Sequence, residues 1–152
     1  MYSPVSGPGS ENAAPGSFRP GVIPDSVLAL EAAGLLPLVD AAVLAELDDE
    51  LAGTGLAQSF ARDYAAMWDQ RYSRLAQAVT SQDSAAALDA VISLKITSAM
   101  VGGLRLAKLA ELLESVIRLG DFGQGQALMK RVAADGGQTV SELQATYILE
   151  ND

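Results

Sequence analysis

Residues 88–106 read LDAVISLKITSAMVGGLRL. The apolar residues up to Met100 fit one helix, Gly102-Gly103 allows a tight reversal, and Leu104 opens a second apolar series. Two helices joined by so short a connection pack as antiparallel neighbours. The first begins near Ser81 and Asp83, with Asp83 placed in an acid-preferring first turn. The second carries Leu104, Leu109, Leu112, Leu113, Val116 and Ile117 and stops at Gly120.

The same pattern extends in both directions. Upstream, Phe60, Tyr64, Met67, Trp68, Leu75 and Val79 recur at helical spacing over residues 56–79. Before that, Asp40 is a suitable N-cap for a short helix to about Ala52 that carries Val43, Leu44, Leu47 and Leu51, and Gly53-Thr54-Gly55 ends it. Asp25 or Ser26 can cap another short helix over residues 27–34, ended by Gly34. Downstream, Asp121 with Gln124 forms a capping-box-like pair. It opens a last helix bearing Leu128, Met129, Val132, Val140, Leu143, Tyr147 and Ile148. Gly136-Gly137 interrupts this series at a cost of about 2 kcal/mol relative to alanine, and a kinked but continuous helix is expected. The fold predicted is all-α: an antiparallel up-down-up-down four-helix bundle with one or two short helices at its N-terminal side. Residues 1–24, rich in Ser, Pro, Gly and Ala, are expected to form a flexible tail, and residues 25–152 the bundle domain.

Composition narrows the function. Of 152 residues, 49% are hydrophobic, enough for a core, and few are aromatic. A net charge of −9 argues against nucleic acid and against anionic membrane surfaces, both of which require basic clusters. There is no cysteine and no histidine, which removes thiolate chemistry, disulfides, and sulfur- or imidazole-ligated metals. No apolar run approaches the roughly 20 residues of a membrane helix. The N-terminus lacks the basic and apolar regions of a signal peptide, so a cytoplasmic location is expected. Asp48-Asp49-Glu50 reads as a solvated helix face, Trp68 and Tyr72 as core and rim, and Tyr64 as packing. No cofactor motif, metal site or nucleophile–base pair stands out, and no enzymatic activity is expected.

Within this frame, Ser93, Leu94, Lys95 and Ser98, followed by the Gly102-Gly103 turn and Leu106, carry a resemblance. They resemble the core helix of histidine phosphotransfer (Hpt) domains, where His-Ser-Leu-Lys-Gly-Ser-Ser precedes a Gly-Ala-x-x-Leu turn. Weaker matches extend it over roughly residues 38–148: Val39-Asp40, Phe60, Tyr64, Leu75, Asp83, Leu113-Glu114 and Gly120-Asp121. Ile92 stands at the family's phospho-accepting histidine, and Ile96 at its glycine.

The resemblance implies a nucleophilic imidazole at position 92, a lysine one turn away to meet phosphoryl charge, and a small residue to admit the receiver. Isoleucine has no lone pair, so phosphoryl acceptance at Ile92 is excluded by chemistry. With Val91 and Leu94 inward, as the family implies, Ile92 and Ile96 fall on the outer face, joined by Met100. Together with Lys95 they are the expected partner-binding residues. Full burial of both isoleucines would contribute about 3–6 kcal/mol before association costs. Two readings of the pair stay open: an exposed contact for a partner, or a patch covered by the N-terminal segment. Lys95 is read as a solvated charge rather than a relic of phosphate recognition. The function expected is that of a histidine-less Hpt protein which binds a receiver domain or a sensor kinase as adaptor, decoy or inhibitor. The alternative is a self-associating helical-bundle module, with a homodimer formed through the same face.

Overall fold

The structure is a computed structural model and describes residues 22–51 and 53–148. The expected tail therefore lies largely outside the described residues. The chain divides between Gly34 and Leu35. The first unit contributes one described helix, α1 (Val22–Gly34). It starts ahead of the expected cap at Asp25 or Ser26, and Pro24 falls in its first turn, where a missing N–H costs nothing.

The second unit is all-helical: α2 (Ala41–Glu50), α3 (Leu56–Thr80), α4 (Ser84–Met100), α5 (Leu104–Arg118), α6 (Phe122–Glu142) and a terminal π-helical stretch, Leu143–Ile148. Helix α4 packs on α3 and α5, and α6 packs on α5 and α3, which closes the four long helices into the expected antiparallel bundle. Short α2 lies against α3 and α4, and the π-helical stretch against α3 and α6.

The helix ends follow from local chemistry. The carboxylates of Asp40, Asp83 and Asp121 accept from the backbone N–H of Ala42, Ala86 and Gln124. Asp83 is thus the N-cap of α4 and not a first-turn residue. An N-cap carboxylate satisfies a donor that the helix leaves without a partner, contributing about 1 kcal/mol. The α4–α5 turn is tied to the irregular segment before α2. Asp40 N–H donates to the Gly102 carbonyl at 2.8 Å, and Arg105 donates through its backbone to Pro37 and through Nε to the Leu36 carbonyl. Gly102 has φ +80°, and a Cβ there would stand 2.5 Å from the Asp40 carbonyl oxygen. Only glycine fits both the dihedral and the approach.

Heptad-like positions fill the core. Leu75, Leu94, Leu106, Leu109, Leu113 and Val132 are buried, and around Leu44 a second cluster gathers Ala61, Tyr64, Val101, Leu143 and Ile148. The π-helical register brings Tyr147 and Ile148, adjacent in sequence, against this same cluster. Met67 departs from the expected stripe. It is 41% exposed because it sits at the edge of the face set by Tyr64, Trp68 and Leu75.

Helix α6 runs through Gly136-Gly137 without a break. The reason for one glycine is tertiary. A Cβ on Gly136 would lie 2.0 Å from Trp68 Cη2, whereas one on Gly137 would meet nothing within 4 Å. Trp68, 8% exposed, lays its indole over the backbone at Gly136 and its other edge near Tyr72, ring centroids 5.8 Å apart. Gly136→Ala should therefore destabilise the protein by about 1–3 kcal/mol through overpacking. Gly137→Ala should stabilise it by up to about 1 kcal/mol through helix propensity. Thermal unfolding of the two variants beside the parent checks both signs.

Candidate functional site

Helix α4 is apolar on two sides. Its inner side is Ala87, Val91, Leu94 and Ser98, all buried. Ser98 is a fully buried hydroxyl in an otherwise apolar row, and it is satisfied by Tyr64, whose phenolic oxygen lies 2.6 Å from Ser98 Oγ. Burial pushes the Tyr64 phenol up to about 12, against the opposing pull of the Ser98 hydrogen bond, so the pair stays neutral throughout the physiological range. One turn and a half further along, Arg71 Nη1 donates to Ser93 Oγ at 2.9 Å. The buried Tyr64–Ser98 bond fixes α3 against α4 in antiparallel register, and the exposed Arg71–Ser93 bond follows from it.

The outer side carries the residues singled out in the sequence. Ile96 is 52% exposed and Met100 42%. Ile92 is half-buried, not fully exposed as expected, because it is rotated from Ile96 toward α5. The gain from covering both isoleucines is correspondingly smaller than 3–6 kcal/mol, since part of Ile92 has already left water.

Lys95 is not a free solvated charge. Its ammonium donates to Glu114 Oε1 at 2.7 Å, and Arg118 holds the other oxygen of the same carboxylate at 2.8 Å. Glu114 is thus clamped between α4 and the last turn of α5, with its side chain 13% exposed. The hydrogen bonds from Lys95 and then Arg118 hold its carboxyl below the usual glutamate range despite burial. Sequence spacing could not reveal a pair formed between two helices. Sequence reading also missed Arg71, which carries no motif and is located only by its bond to Ser93. Among the described residues, no group of three His, Cys, Asp or Glu side chains converges as a metal site. No described helix is long and apolar enough to cross a membrane.

No family model matches the sequence, and no curated protein matches it. Among solved structures the fold is similar to the crystal structure of histidine-containing phosphotransfer protein B (HptB) from Pseudomonas aeruginosa PAO1. The TM-score is 0.64 at 21% sequence identity, over 71% of this chain and 92% of that one. At that identity the likeness establishes the fold, an Hpt-like helical bundle.

The Glu114 clamp generates a pH prediction. Its carboxyl is more acidic folded than unfolded, so the native state binds fewer protons between the two values and stability falls as pH drops through them. Glu114→Gln should cost about 1 kcal/mol at pH 7. The gap to the parent should close as pH falls from 4.5 through the depressed value. Urea unfolding at stepped pH measures it, and a gap independent of pH would remove the clamp from the stability of the fold.

Proposed function

We propose that the chain is a histidine-less relative of the histidine phosphotransfer proteins that binds a receiver domain or a sensor kinase without accepting phosphate. It acts as adaptor, decoy or inhibitor in phosphorelay signalling, and it is not an enzyme. The observation that carries this reading is the outer face of α4. The sequence resemblance puts Ile92 at the phospho-accepting histidine and Ile96 at the neighbouring glycine, and on this face Ile96 and Met100 stand exposed. An apolar side chain held half in water on the outer face of a helix gives the fold little. It gives a docking partner about 1 kcal/mol more on full burial, since only half of the side chain remains to be covered.

The state of Lys95 supports the same reading. In a phosphate carrier a lysine beside the nucleophile has to meet incoming negative charge. Here the ammonium is engaged by Glu114, which already neutralises it. The positions of the nucleophile, the small neighbour and the free cation have all moved away from phosphoryl chemistry together.

Two measurements test the proposal. Incubated with receiver domains of the same cell charged by acetyl phosphate, the wild-type chain should take up no acid-labile phosphate. The double variant Ile92→His with Ile96→Gly should take it up, since it restores a nucleophilic nitrogen and the room beside it. In binding assays with those receivers and kinases, Ile96→Glu should weaken the complex by about tenfold or more at unchanged Tm. Phosphate on the wild-type chain, or no complex with any receiver or kinase, would overturn the reading. A complex only between two copies of this chain would favour the self-associating module instead.

A further inference from the structure

Arg71 is the least satisfied cation of the bundle's α3–α4 face. Its neighbours along α3 and α4 are accounted for: Arg74 pairs with Asp89, and Lys95 with Glu114. Arg71 has no carboxylate partner among the described residues, and its one hydrogen bond goes to a neutral hydroxyl, Ser93 Oγ. Its Nε is buried and has no hydrogen-bond partner. A half-buried guanidinium carries five N–H donors and a full charge, and leaving the buried Nε–H unmet costs stability.

On one side of it lies the Arg74–Asp89 pair, and on the other its surroundings are apolar and exposed. Met67 lies one turn before Arg71 on the same side of α3, between the residues bonded to Ser98 and Ser93. Across the helix pair, Ile96 and Met100 follow Ser93 by one and two turns on α4. Met67, Ile96 and Met100 are three of the exposed large hydrophobics of the chain, and all three fall at this one seam. An apolar patch with an unpaired cation at its edge, in a chain of net charge −9, is matched by an apolar surface bearing a carboxylate.

We infer that Arg71 is the polar anchor of the docking surface and that it receives an Asp or Glu side chain of the partner protein, set beside an apolar contact to Met67, Ile96 and Met100. The inference rests on the docking reading above and adds the chemistry of the partner. It also moves the charged contact from the α5 flank of α4, where Lys95 is already engaged, to the α3 flank.

The test begins without the partner. Hexanoate joins a carboxylate to a short apolar chain. Titrated into the full chain and followed by NMR, it should shift the Arg71 Nε–H resonance together with the methyls of Ile96 and Met100. Sodium chloride at equal ionic strength and hexylammonium should leave Arg71 in place. Arg71→Met should abolish the response while leaving Tm equal or higher, because a strained, unmet donor is removed. With a bound receiver or kinase, Arg71→Met should lower affinity about tenfold and flatten its salt dependence. An Arg71 resonance that hexanoate moves no more than chloride does overturns the inference. So does a marked fall in Tm on Arg71→Met, which would make the residue structural. Partner binding lost on Ile96→Glu but untouched by Arg71→Met would sink the anchor and leave the docking reading standing.

Discussion

The hydrogen bond between Tyr64 and Ser98 organises the helix pair on which the surface rests. A hydroxyl buried at 0% exposure in an apolar row is tolerated only when it finds a partner, and here the partner is a phenol that is itself 2% exposed. Sliding α3 along α4 by one residue would orphan both groups, at about 1–3 kcal/mol each. The register so fixed aligns Arg71 with Ser93 and turns Val91 and Leu94 inward. Because the inward row is settled by this bond, the outward row is settled too. Ile96 and Met100 face water as a geometric consequence of where Ser98 sits, and Ile92 stands half in water beside them.

Much of this was legible in the sequence, for reasons that are local. The caps at Asp40 and Asp121, the reversal at Gly102-Gly103 and the long apolar stripes act within a turn or two of chain, so spacing alone exposes them. The outward placing of Ile96 and Met100 also followed, once Val91 and Leu94 were placed inside. What escaped is non-local. Gly136 reads as a helix weakness because the sequence does not show the Trp68 ring that needs the space. Lys95 reads as solvated because its carboxylate lies on the next helix, 19 residues away. Met67 shares the spacing of the core residues but stands at the margin of their face. That margin decides exposure, and a periodicity cannot resolve it. Arg71 left no sequence trace, since one arginine on an amphipathic helix is ordinary until its partner is known.

Those two cations have different standing in the energetics. Lys95 and Arg118 both donate to Glu114, so each cation on that flank already holds a carboxylate within the fold. Opening it for an incoming anion would forfeit charge-assisted bonds to a mostly buried group, which is costly. Arg71 has no such bond to forfeit. An anion reaching it gains a charge-assisted contact without breaking one beyond the neutral bond to Ser93. On the docking proposed above, a negatively charged partner group would therefore be received on the α3 side of the apolar row.

That asymmetry bears on how a carrier fold could lose its chemistry and keep an interaction. Phosphoryl transfer requires three conditions in one place: a lone pair, room beside it, and an uncommitted positive charge. On the function proposed, Ile92 would remove the first, Ile96 the second, and the Lys95–Glu114 pair the third. Docking requires less: apolar area, a complementary charge at its edge, and a rigid frame. In the docking surface proposed, Met67, Ile96 and Met100 would supply the area, Arg71 the charge, and the Tyr64–Ser98 register the frame. Every substitution that closes the first list leaves the second intact, or adds to it, since each isoleucine brings apolar surface to the position where a receiver would sit.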